Sequence, residues 1–139
     1  KVLDSFHYEG KFLSLEQLDL LPKKPWDKGL YVHWRPGESG ANQVLKKFIR
    51  DNLTHYSDRR NFPEFDSTSH LSPYLHFGEI SPQRIIYQLT KAGNEKPRFE
   101  LQAEKTIRQM IWREFSCHIL VNYPFTTEKP FQNKFSKFP

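Results

Sequence analysis

The chain has 139 residues, 37% hydrophobic and 27% charged, a balance that supports one domain with a core and excludes a disordered polymer. Twenty-one Lys and Arg against sixteen Asp and Glu leave a formal charge of +5, compatible with a polyanionic partner without requiring one. Cys117 is the only cysteine, which excludes an intrachain disulfide and a cysteine-based zinc site. No apolar run reaches the roughly eighteen residues of a membrane span and no signal-peptide pattern stands at Lys1, so a cytoplasmic location is expected. With no initiator Met and an aromatic stop at Phe135–Pro139, the chain reads as a piece of a longer protein.

Residues 1–37 show little periodicity. A short helical turn is predicted within Phe12–Leu21, after which Pro22, Pro25 and Pro36 interrupt, as in an interdomain connector. The first long helix is predicted over Ser39–Tyr56, with Ala41, Val44, Leu45, Phe48, Ile49 and Leu53 on one face and Ser39 or Gly40 as cap. Asp58–Ser69 reads as loop, Leu71–Phe77 as a short helix closed by Gly78. Ser81-Pro82 opens another helix lined by Ile85, Ile86 and Leu89, which ends at Lys91–Asn94. The last helix is predicted over Arg98–Asn122, its core stripe being Ile107, Ile111, Phe115 and Ile119, widened by Leu101 and Met110; Pro124 stops it. No segment alternates with period two. The expected fold is all-α and multi-helical.

Three clusters carry possible chemistry. Thr68-Ser69-His70-Leu71-Ser72 precedes a helix start, where hydroxyls and unpaired N–H groups make either an anion seat or an ordinary N-cap. Trp112-Arg113-Glu114 lies in an apolar helix: the indole is a stacking face and the guanidinium wants a buried partner, or the group is a structural ion pair beside a core ring. Arg59-Arg60 is either a phosphate contact or a solvated loop end. The six histidines do not fall at ligand spacing, so no metal site is expected; glycine-rich phosphate loops and hydrolase triads are absent.

Taken in order, these segments resemble the photolyase/cryptochrome family. Trp34-Arg35-Pro36-Gly37-Glu38 with Ala41 and Leu45 resembles the opening of that family's flavin domain, and Tyr56–Pro63 resembles its Y-x-x-x-R-x-x-P segment. Thr68–Pro82 is similar to the signature T-S-x-L-S-P-x-L-x-F-G-x-I-S-P, and Ile111–Phe115 with Tyr123-Pro124 resembles the W-R-E/D-F helix. The resemblance implies a connector over 1–37 and, over 38–139, the N-terminal half of a FAD-binding helical domain.

It further implies FAD held by Tyr56, Thr68, Ser69, His70, Leu71, Ser72, Thr106 and Arg113. Arg60 and the stretch Gln109, Met110, Ile111, Trp112, Arg113, Glu114, Phe115 and Ser116 would face DNA damaged by ultraviolet light. Trp112 and Gln109 would be the catalytic contacts to a flipped-out pyrimidine dimer, which light-driven electron transfer splits. An antenna domain with a second chromophore would precede Lys1, and the other half of the flavin pocket would follow Pro139. The intact parent is expected to be monomeric, and this piece alone inactive. Two positions depart from the pattern. His70 stands where many members carry Arg, and Gln109 where cyclobutane-dimer enzymes carry Glu, so the lesion is open between cyclobutane and 6-4 types. A photoreceptor without repair activity, and a basic nucleic-acid-binding module without cofactor, are the competing readings.

Overall fold

The structure, a computed structural model, describes Gly10, residues 12–14 and 16–20, and residues 22–137. By contact the chain divides into two units, Lys1–Arg35 and Pro36–Pro139. In the first, a 3-10 turn at Glu16–Leu18 and the single-turn helix α1 (Leu30–His33) are the regular elements among the described residues. The helical turn expected within Phe12–Leu21 is that short one; Leu15 and Leu21 lie outside the described residues, as does the end of the Phe135–Pro139 segment. No strand is present among the described residues, and the fold is all-α.

The second unit opens at Gly37, whose φ of 97° belongs to the left-handed region that favours glycine. Its N–H donates to Glu79 Oε1 at 2.7 Å, and helix α2 (Glu38–Lys47) begins on the next residue. The cap is therefore Gly37 rather than Ser39 or Gly40, because the Pro36-Gly37 turn is anchored by a carboxylate from far along the chain. Beyond α2 the helical run continues through a π turn (Phe48–Asn52) and a 3-10 turn (Leu53–His55) into α3 (Tyr56–Arg59). The reason lies in the spacing of the core residues. Leu45, Phe48, Leu53 and Tyr56 are all buried, and the five-residue step from Phe48 to Leu53 does not fit a regular α-helix. Adding one residue to the turn carries polar Asn52 past the core face and returns Leu53 to it. Phe48 and Tyr56 then meet edge to face, centroids 5.6 Å apart.

Helix α4 (Ser72–His76) ends as predicted at Gly78, which takes φ 71° while the N–H of Glu79 returns to the carbonyl of Tyr74 at 2.8 Å. Helix α5 (Pro82–Glu95) starts as predicted, with Ser81 Oγ accepting from the N–H of Arg84 at 3.1 Å, but it runs past Asn94. What stops it is Pro97. A proline forces its predecessor out of the helical region, and Lys96 sits at φ −138°, ψ 106° as the whole connection to helix α6 (Pro97–Asn122). So tight a hairpin demands close approach, and Gly93 supplies it: a Cβ there would lie 3.3 Å from the Cα of Glu100.

Helix α6 is the element whose side-chain assignment needs correction. Its buried residues are Phe99, Ala103 and Thr106, which face α5 and the 53–59 turns. The stripe expected in the core points elsewhere: Ile111 is 59% and Phe115 48% exposed, and Leu101 is also exposed. Fourteen residues of α5 reach roughly 21 Å and twenty-six of α6 roughly 39 Å, so the second half of α6 outruns its partner. Gly93→Leu, which drives a side chain into the α6 backbone, is expected to destabilise by about 1–3 kcal/mol. Leu89→Ala, emptying a fully buried position, should cost about 2–5 kcal/mol. Both are read as a lower urea midpoint at unchanged slope; a wild-type midpoint for Gly93→Leu would show that the helices do not touch there.

Candidate functional site

The loop after α3 is fixed by side chains rather than by its own backbone regularity. Asn52 Nδ2, on the π turn, donates to the carbonyl of Asp66 at 2.9 Å. Arg59 lies over the Phe65 ring at 5.0 Å and Arg60 over the Tyr56 ring at 5.7 Å. This folds the 60–70 segment around a cleft of about 420 Å³ that Arg60, Thr68 and His70 share. His70 takes φ 52°, a conformation only sparsely open to non-glycine residues, and its Nε2 meets Asp66 Oδ1 at 2.5 Å. Thr68 Oγ1 lies 3.5 Å from the same nitrogen. The imidazole at the departure position is thus held by a carboxylate that no motif had singled out.

The following turn presents polar groups with few internal partners. Leu71 is the N-cap of α4 and is buried, and no side chain caps the opening N–H groups of that helix. Ser69 Oγ accepts weakly from the N–H of Leu71 at 3.4 Å, and Ser72 is exposed. Ser67 Oγ is buried with no hydrogen-bond partner among the described residues, a costly state for a hydroxyl unless something else reaches it. Because α4 spans only five residues, its dipole adds little. Any anion held here is held by hydroxyls and N–H groups.

Helix α6 brings Thr106 against the turns at 53–59. Gln102 Oε1 accepts from the N–H of Ser57 at 2.9 Å, and the Gln102 carbonyl accepts from Thr106 Oγ1 at 2.8 Å. One glutamine therefore fastens the long helix to the turn that carries Tyr56. Sequence reasoning missed Gln102, though its place one turn before Thr106 on the buried side was the available signal. Continuing along that side at 100° per residue, Gln109, Met110 and Arg113 follow Thr106, and all three are partly shielded.

The eight consecutive residues Gln109–Ser116 do not share a face. Trp112 lies roughly 120° around the helix from Thr106 and about 9 Å further along. It is 57% exposed, with its ring edge-on to Phe115 at 5.7 Å. Ile111, Glu114 and Ser116 are likewise exposed, the last donating to the carbonyl of Trp112 at 2.9 Å. Arg113 does not form a buried ion pair: it meets Glu114 at 2.9 Å with both side chains substantially exposed. Among the described residues no group of three or more His, Cys, Asp or Glu could hold a metal ion, and no helix is long and apolar enough to cross a membrane.

No family model matches the chain. It is 38% identical over 132 residues to the deoxyribodipyrimidine photo-lyase of Agrobacterium fabrum, covering 90% of this chain and 26% of that protein. It is 35% identical over 133 residues to Cryptochrome-2 of Arabidopsis thaliana, covering 91% of this chain and 22% of the other. Its fold matches a bacterial class III photolyase from Agrobacterium tumefaciens with a TM-score of 0.79 at 35% identity, over 94% of this chain and 27% of that one. The chain thus spans about a quarter of the length of these relatives.

Two substitutions separate the local roles. Within this chain Ser67→Ala removes a buried hydroxyl that has no partner and should be neutral or stabilising, whereas Gln102→Ala strands the N–H of Ser57 and should cost about 1–3 kcal/mol. Thermal unfolding reads the order, and Ser67→Ala as the more damaging variant would contradict this assignment.

Proposed function

The chain belongs to the photolyase/cryptochrome family, and from that premise we propose that it forms the first half of the FAD-binding helical domain of a light-driven DNA-repair enzyme. The 67–72 turn carries this reading. A buried Ser67 hydroxyl without a partner among the described residues, followed by the hydroxyls of Thr68, Ser69 and Ser72, suits the phosphates and ribityl chain of a dinucleotide, and the family signature begins at Thr68. When bound, FAD supplies the photoexcited electron donor for splitting a pyrimidine dimer.

The chain's own residues have separable tasks. Thr68, Ser69 and Ser72 offer hydroxyls, and the main chain at His70 and Leu71 offers N–H groups to the cofactor's anionic part. Tyr56, beside the Ser57 N–H that Gln102 accepts, and Thr106, which donates to the Gln102 carbonyl, are both buried and keep water from the cofactor. Arg113 continues the Thr106 side of α6 toward the cofactor. Trp112, exposed on another side of α6 from Thr106, gives a flipped-out base a face to stack on, and Gln109 hydrogen-bonds the lesion without supplying a proton. Arg60, beside the same cleft, meets a DNA phosphate. Met110, Ile111, Glu114, Phe115 and Ser116 flank this surface, with only Met110 on the cavity side.

A second reading, a blue-light photoreceptor without repair activity, is favoured by Gln109 and by the similarity to Cryptochrome-2. Illumination decides between them. The complete protein is expected to restore ultraviolet-irradiated DNA under blue light and not in darkness, with cyclobutane and 6-4 products assayed separately. Repair of neither product, or equal repair in the dark, would remove the repair reading. Trp112→Ala should weaken binding to damaged duplex by about 1–3 kcal/mol with flavin absorbance unchanged. Ser69→Ala combined with Ser72→Ala should lower the flavin retained after gel filtration.

A further inference from the structure

At the other end of the α5–α6 hairpin lies a cleft of about 380 Å³ between the C-terminal part of α2 with its π turn, the last turn of α5 and the start of α6. Its floor is Phe99, a core ring only 3% exposed. Its walls carry Lys46, Arg50, Lys91, Lys96 and Arg98 against a single lining carboxylate, Glu95. The whole chain has a surplus of only +5. Even with neighbouring Asp51 counted, this one cleft holds more than half of it. The cations come from α2, the π turn, α5, the Lys96 connection and α6, so their convergence is a product of the fold and not of a basic run in the sequence.

These charges divide into two groups. Arg50 is engaged by Asp51 through a fork of two contacts at 2.6 and 2.8 Å, and the hydrogen bond from Arg50 holds the Asp51 carboxyl below its ordinary range. Lys91 meets Glu95 at 3.7 Å. Lys46, Lys96 and Arg98 have no carboxylate partner among the described residues, and all three are exposed. The Lys96 ammonium and the Arg98 guanidinium lie 5.4 and 4.8 Å from the centre of the Phe99 ring, which gives both a common anchor at the cleft floor. Three uncompensated cations around one concave, half-apolar space would repel one another unless an anion neutralises them.

We propose that this cleft binds vicinal phosphate groups, with Lys46, Lys96 and Arg98 as its free cations. The chemistry is that of a polyphosphate or of successive phosphates on a nucleic-acid backbone. An isolated carboxylate would leave two cations unmatched, whereas linked phosphates place several charges within one cleft. Such a site is separate from the surface assigned above to lesion recognition. Arg98 and Trp112 stand roughly 20 Å apart along α6.

The test uses the complete protein with inorganic tripolyphosphate and with undamaged duplex DNA as probes. The triple variant Lys46→Gln, Lys96→Gln, Arg98→Gln changes only exposed side chains. It should lose at least tenfold in tripolyphosphate affinity by calorimetry at an unchanged unfolding temperature. If the phosphates come from DNA, the slope of log K against log salt for undamaged duplex should also become shallower by roughly two to three. A lost tripolyphosphate signal with an unchanged DNA slope would identify free polyphosphate as the source. The charge-preserving variant Lys46→Arg, Lys96→Arg should retain binding, which separates lost charge from disturbed folding. Wild-type affinity of the triple variant for both probes overturns the proposal. Absence of any preference for damaged DNA in the wild-type protein would instead sink the repair reading and leave the tripolyphosphate arm standing.

Discussion

Where α5 turns into α6, a Cβ on residue 93 would stand 3.3 Å from the Glu100 Cα, so the two helices pack with little room between their backbones. The rest of the second unit depends on that approach. It sets the depth at which Phe99, Ala103 and Thr106 enter the core, and hence the height at which Gln102 meets the N–H of Ser57. Through that glutamine the turn carrying Tyr56 is positioned, and through Asn52 and Asp66 the loop that shapes the cleft with Arg60 and His70. The turns at 53–59 and a long helix thus meet beside a residue that has no side chain.

Local signals were legible wherever one residue type has one physical use. Ser81 ahead of Pro82, Gly78 after α4 and Pro97 between two helices each act through backbone geometry, and each sits where the sequence reading put a boundary or within a residue or two of it. Boundaries decided by distant partners were not legible. The cap at Gly37 depends on a carboxylate forty-two residues away, and nothing in the Ser39-Gly40 neighbourhood announces it. The π turn is an intermediate case. The step from Phe48 to Leu53 is visible as a spacing of five, but only the requirement that both be buried turns that spacing into a structural element.

Helix α6 shows why a correct period can give a wrong face. Ile107, Ile111, Phe115 and Ile119 do recur at i, i+4, and the helix exists almost residue for residue. Yet the same helix carries a second, shorter stripe of Phe99, Ala103 and Thr106, less apolar in sequence and far more buried in fact. Periodicity measures which residues lie together; it does not say which side has a neighbour. The candidate site inherits this ambiguity. Gln109, Met110 and Arg113 extend the buried side, whereas Ile111, Trp112 and Phe115 do not. A cofactor wall and a substrate wall can both be built from one helix only if they use different sides of it, which is how the proposed roles of Arg113 and Trp112 divide.

The charge distribution follows the same geometry. Arg60 lines the cleft at the Tyr56 turn, while the surplus cations gather around Phe99, where α5 turns into α6. The separation of roughly 20 Å along α6 between Arg98 and Trp112 exceeds the Debye length of about 8–10 Å at moderate ionic strength. The phosphate cleft and the Trp112 surface therefore interact little through solvent, and removing charge from the first leaves the field at the second almost unaltered. A polyanion long enough to reach both would gain from each independently, and a short one would choose. The number and spacing of a ligand's phosphates, more than its total charge, then decide which end of the hairpin it occupies.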